Sequence, residues 1–144
     1  MKILLSIKPE YTEKIFSGEK KYEFRKQKPR ELVEMVLVYE SNPSKNIVGC
    51  FTIKKILSGS PENIWKKCKN NGGIEKENYF AYCNDKKVIH AMEIDEFFEF
   101  DCPINPFKII SDFKPPQNFI YLENSTFFRA LENEDGICKC LEFD

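Results

Sequence analysis

Between residues 9 and 25 the hydrophobic period changes from helical to extended across a single glycine. Pro9 suits the first turn of a helix, and in PEYTEKIFSG the apolar Tyr11, Ile15 and Phe16 fall on one helical face. Gly18 supplies the stop for a helix predicted over residues 9–17. In KKYEFR the pattern alternates, with Tyr22 and Phe24 on one face and Lys21, Glu23 and Arg25 on the other. That is the period of a strand.

The same reading carries along the chain. KILLSI (residues 2–7) is a buried strand, and VEMVLVYE is another that ends in the turn-like SNPSKN. NIVGCFTIKKIL is a long β-rich run closed by SGS, after which Ser60 caps a helix with Pro61 at its first position. Gly72 and Gly73 end that helix, and EKENYFAYCN predicts a second short one. KVIHAMEI and EFFEFDCPI read as two strands separated by Asp95 and Glu96. FKIISDFKPPQNFIYL reads as loop, since Pro115–Pro116 forbids regular structure there. STFFRALENE predicts a last helix capped at Ser125 or Thr126. On its Ile64 and Cys68 side the Ser60 helix also places Trp65, a core residue rather than a stacking platform. With no repeat and no linker, residues 1–144 form a single α+β domain of five or six strands in a strongly curved sheet.

Hydrophobic residues at 42% and aromatic residues at 14% exclude a disordered chain. No apolar run approaches the roughly 20 residues of a membrane span, and MKILLSIKPEY lacks a signal-peptide pattern. The expectation is a cytoplasmic protein without membrane contact. The six cysteines are dispersed, apart from Cys138 and Cys140, and six free thiols are expected, with Cys50 as a small core hydrophobe. With one histidine, His90, inside a strand-like run, the pattern predicts neither a metal site nor a cofactor. Net charge is only −1, but residues 1–30 hold nine Lys or Arg against four acids. Residues 123–144 hold two against six, an acidic helix and tail. A nearly neutral protein with one basic region can present a focused positive patch to phosphates.

That patch centres on GEKKYEFRKQKPR, residues 18–30, where six basic side chains interleave with Tyr22 and Phe24. Gly18, Lys20, Glu23 and Arg25 spell Gly-x-Lys followed by an alternating strand with a polar residue and an arginine. Together with SIKPEY, IVGCFTI and the late PPQNFIYL, this resembles the ASCH domain of the PUA-like superfamily, over about residues 1–122. The resemblance implies a PUA-like curved antiparallel β-barrel with peripheral helices, pocketed and associated with RNA or modified nucleotides. Its relatives include proposed transcription coregulators and a small amidohydrolase that deacetylates N-acetylated cytidine. That enzyme uses a lysine, a threonine and a glutamate. The lysine matches Lys20; the threonine position falls on Glu23; the glutamate segment here reads NNGG (70–73), with no carboxylate until Glu75.

From the residues themselves, Arg25 offers a planar fork for phosphate or a base edge and Lys20 a point charge. Glu23 either accepts from an exocyclic amine or forms a surface pair with Arg25. Lys8, ahead of the helix start, stands at the same end as Lys20. Lys26, Lys28 and Arg30 are expected as a phosphate-guiding rim, with the side chains of Arg25 and Lys28 ending in solvent. Ser41 and Gln117 are candidate ligand contacts, Gln117 as a base reader, or else ordinary loop residues. The preferred expectation is a module binding RNA, single-stranded nucleic acid or a modified nucleotide. One alternative is a hydrolase of a modified nucleoside or RNA, amidohydrolase-like or a ribonuclease, with Lys20 and Glu23 as catalytic candidates. Another is a protein-interaction or inhibitor domain that uses the acidic segment 93–101 and binds a protein partner.

Overall fold

A computed structural model describes the chain apart from residues 124, 135, 138, 139 and 141–144. Its first strand, β1 (Lys2–Ile7), leads through α1 (Pro9–Phe16) to β2 (Tyr22–Arg25). Pro9 is at the helix start as its fixed φ favours, and Gly18 leaves the helix at φ +85°, a left-handed turn that glycine tolerates. Next come β3 (Met35–Glu40), β4 (Asn46–Gly59), α2 (Pro61–Cys68), a 3₁₀ turn (Lys69–Asn71) and α3 (Lys76–Cys83). The Ser60 hydroxyl accepts from the Asn63 amide and so caps α2, as the sequence predicts. The long strand β5 (Ile89–Ile104) is followed by α4 (Pro106–Ile109), β6 (Phe119–Tyr121) and α5 (Thr126–Leu131), which Ser125 caps through the Phe128 amide.

The strands form one strongly curled sheet, a half-barrel in the order β2-β5-β4-β3-β1-β6. β1 and β3 are parallel, and every other pairing is antiparallel. The alternation of β1 explains the layering. Leu4 points into one core with Leu37, Tyr39 and the α5 residues Phe127, Phe128 and Leu131. Ile3 and Leu5 point into another, against Val36, Val38, Phe51 and Ile15 of α1. A third cluster joins Phe24 of β2 to Ile64 and Cys68 of α2 and Tyr79 of α3, with Trp65 packed at its margin on Tyr79 and Phe80. No described helix is long and apolar enough to cross a membrane.

Three expectations change. Asp95 and Glu96 do not interrupt the sheet, because β5 runs through them as one strand. The pairing with β4 shifts register between Phe51 and Ile53, and Thr52 Oγ1 accepts from the Glu96 amide at 3.0 Å, so the strand bends instead of stopping. The segment expected as loop holds α4 before Pro115–Pro116 and β6 after it. Finally, Cys50 is not a free thiol: it forms a disulfide with Cys140, 90 residues away. Cys68, Cys83 and Cys102 are free, and Cys138 lies outside the described residues.

Candidate functional site

The curl of the sheet leaves a cleft of about 880 Å³ between β1 and α1 on one side and α3 on the other, with 115–117 closing a third. At its floor stand Lys20, Glu23 and Arg25. Lys20 precedes β2, and its backbone amide bonds the Lys14 carbonyl at 2.9 Å. Its side chain, only 2% exposed, runs inward so that Nζ meets the Gly72 carbonyl at 2.5 Å and Glu23 Oε1 at 3.8 Å. Nζ also lies over the rings of Phe24 (4.9 Å) and Tyr11 (5.2 Å). The NNGG segment makes this burial possible. A Cβ on Gly73, which sits at φ +64°, would come within 2.6 Å of Lys20 Cβ. Where the amidohydrolase resemblance calls for a carboxylate, this chain therefore offers the Gly72 backbone carbonyl.

Glu23 is 5% exposed and shared between two cations, with Arg25 donating an Nη2–H to its Oε2 at 2.8 Å. The same nitrogen meets the Ser6 carbonyl at 2.7 Å, and Nη1 reaches Asn118 Oδ1 at 3.3 Å. The Glu23–Arg25 pair is thus buried, not a surface pair. The Arg25 side chain is 13% exposed and ends on protein groups, not in solvent as the sequence predicts. Arg25 Nε is buried without an acceptor among the described residues. Burial holds the Lys20 pKa below its ordinary value; the Glu23 carboxylate pulls it back up, while Arg25 and Lys14 press it further down.

Of the other predicted residues, Lys8, Ser41 and Gln117 line the same cleft. Lys26, Lys28 and Arg30 do not. Lys26 holds its Nζ 4.8 Å over the ring of Tyr82, while Lys28 and Arg30 are exposed, and the Arg30 amide bonds the Tyr121 hydroxyl at 2.9 Å. The cleft adds groups that the sequence pattern does not single out: Tyr11, Tyr39, Asn42 and Lys45 from one side, Asn78 and Tyr82 of α3 from the other. Tyr11 is legible only as an apolar helix face, and the α3 residues carry no local signal, since only the fold brings α3 opposite β1. Among the described residues no group of three or more His, Cys, Asp or Glu is placed to hold a metal ion.

Residues 5–99 match the ASCH domain family. The chain is an ASCH domain protein. Two proteins of Ureaplasma parvum serovar 3, a large ribosomal subunit protein uL22 and an ATP synthase subunit alpha, are each 31% identical to it over 125 residues, 84% of the chain. The chain spans only 39% and 15% of their respective lengths. An ASCH domain-containing ribonuclease of Zymomonas mobilis is 25% identical over 131 residues, 83% of this chain and 82% of that protein. The crystal structure of ASCH from Zymomonas mobilis superposes on this ASCH domain with a TM-score of 0.82 at 22% identity, covering 90% and 92% of the two chains. That likeness establishes the α+β half-barrel as the ASCH and PUA-like fold.

Proposed function

We propose that this ASCH domain acts on RNA, drawing an unpaired nucleotide into the cleft and cleaving the adjoining phosphodiester with Lys20 and Glu23 as the proton-transfer pair. The observation that carries the reading is the burial of Lys20 against Glu23 at the cleft floor. A lysine in that setting sheds its proton more readily than one in water, and the neutral amine can take the proton of a ribose 2′-hydroxyl. Glu23 orients the amine and steadies the ammonium once it forms. Arg25 contributes a fixed positive charge beside the reacting phosphate. The kinship with a protein named as an ASCH domain-containing ribonuclease supports RNA as the substrate and favours a hydrolytic reading over a purely binding one.

Depth supports the choice of a single strand. The reacting groups are almost wholly buried, so a base held in a duplex would have to leave its stack to reach them. Lys8 and Lys45 at the mouth, with Lys26, Lys28 and Arg30 outside the cleft, would guide the flanking phosphates. Ser41 and Gln117 would meet the base or the ribose.

The test is cleavage of a single-stranded RNA oligonucleotide beside its 2′-deoxy counterpart. The parent should cut the RNA and spare the DNA, and Lys20→Ala should slow cutting by about 10²–10⁴-fold. Equal cutting by Lys20→Ala overturns the assignment of the base. Salt-sensitive binding of RNA by the parent without any cutting would return the domain to a binding module.

A further inference from the structure

Cleaving a phosphodiester through a 2′-hydroxyl needs a second proton transfer, and Lys20 and Glu23 account for the first alone. Tyr11 and Tyr39 line the cleft on the β1 and α1 side, Tyr11 with Lys20 Nζ over its ring, and the α3 wall across from them carries Tyr82. Tyr82, in the last turn of α3, lines the cleft, and both Arg25 and Glu23 act on it electrostatically. Its ring is held by Lys26, whose ammonium sits over it at 4.8 Å. A general acid stands across the phosphorus from the base, and α3 forms the cleft wall across from α1, whose Tyr11 already packs against the Lys20 ammonium.

We propose that Tyr82 is the proton donor of the reaction, delivering its phenolic proton to the ribose 5′-oxygen that leaves phosphorus. The assignment rests on the RNA-cleaving reading above. The Lys20 amine takes the proton of O2′, the O2′–P bond forms, and the P–O5′ bond breaks with its electron pair on O5′. That oxygen receives the Tyr82 proton. The phenolate is restored by the proton that Lys20 releases through solvent, so protons and electrons balance. Burial, opposed by the Arg25 charge, raises the Tyr82 pKa and keeps the hydroxyl protonated at neutral pH. A ribose alkoxide is far more basic than a phenolate, so the transfer runs downhill. Tyr82 also packs at the margin of the Phe24–Tyr79 cluster, and a residue kept only for that packing would tolerate loss of its hydroxyl.

The experiment compares the parent with Tyr82→Phe on two single-stranded RNAs, one with an ordinary linkage and one whose 5′-bridging oxygen is replaced by sulfur. A thiolate leaves without needing a proton. Tyr82→Phe should lose about 100-fold in kcat on the ordinary RNA, with KM unchanged, and should match the parent on the sulfur-bridged RNA. Equal rates on the ordinary RNA, or the same loss on both substrates, overturns the proton-donor role while leaving RNA cleavage standing. A parent that cuts neither substrate overturns the RNA-cleaving reading and this assignment with it.

Discussion

Arg25 and Asn118 face each other across the open side of the half-barrel, the guanidinium Nη1 lying 3.3 Å from the side-chain carbonyl. Arg25 is on β2, one edge of the sheet, and Asn118 immediately precedes β6, the other edge. With its bond to the Ser6 carbonyl, this side chain fastens together strands that share no ladder. Arg25→Ala should therefore cost about 1.5–3 kcal/mol of folding stability, as expected for buried hydrogen bonds to a charged group. Urea denaturation with an unchanged m-value is the check. A midpoint equal to the parent's would mean that the two edges hold without it.

Lysine 20 gives a prediction about pH. Its folded pKa lies below the ordinary value of 10.5, so the neutral amine gains population as pH rises toward that depressed value. RNA cleavage should rise with pH on its acidic limb for the parent. Lys20→Arg keeps the charge but cannot shed a proton in this range, and should be inactive at every pH while still binding RNA. Retained cleavage by Lys20→Arg would assign Lys20 a purely electrostatic role.

Gly73→Ala tests the backbone beneath that lysine. A side chain here is forced both into a left-handed conformation, φ +64°, and to 2.6 Å from Lys20 Cβ. Destabilisation of about 1–3 kcal/mol is expected from the conformation alone. Displacement of Lys20 should add a loss of cleavage larger than the fraction unfolded explains, measured on the same sample by circular dichroism and initial rates.

How much of this site is legible in the sequence follows from the range of the contacts. The strand Tyr22–Arg25 and the helix before it announce themselves because alternation and helical spacing are local. Lys20 gives no sign of burial in sequence; its cover is Gly72 and Gly73, more than 50 residues on. Tyr82 and Asn78 reach the cleft only once α3 has docked on β2 and β5 through Phe24 and Ile89. The Asp95–Glu96 pair reads as a break because exposed charges usually mark a turn. In a bent strand the outer face is solvated and tolerates them.

His90 should give the protein a mild acid sensitivity. Its pKa is lowered, first by burial and then by the Lys28 charge. The unfolded chain therefore binds a proton more readily than the folded one, and stability falls as pH drops through 6.5 toward the folded value. Melting temperatures of the parent and His90→Gln should diverge least near pH 5 and most near pH 8, if the neutral ring's bond to Ser58 Oγ at 2.7 Å is what Gln lacks. Parallel profiles would exclude His90 as the titrating group.

The disulfide sets a simple count. Under denaturing, non-reducing conditions Cys68, Cys83 and Cys102 should titrate as thiols, whereas Cys50 and Cys140 should not. Removing the link by Cys140→Ser should lower stability by about 2–5 kcal/mol, read from the denaturation midpoint.

The family match ends at residue 99, yet the core does not. Leu122, Phe127, Phe128, Leu131 and Ile137 roof the same cluster that holds Leu4, Leu37 and Tyr39. Tyr39 also lines one side of the cleft, so that side of the site and the later stretch of the chain pack on the same residue. The stretch that carries the recognisable signature and the stretch that must travel together to fold are therefore different lengths. A graft or truncation drawn at the signature's edge would carry Lys20 and its glycine cover into the new host and strip the packing from behind Tyr39, which lines the cleft beside it.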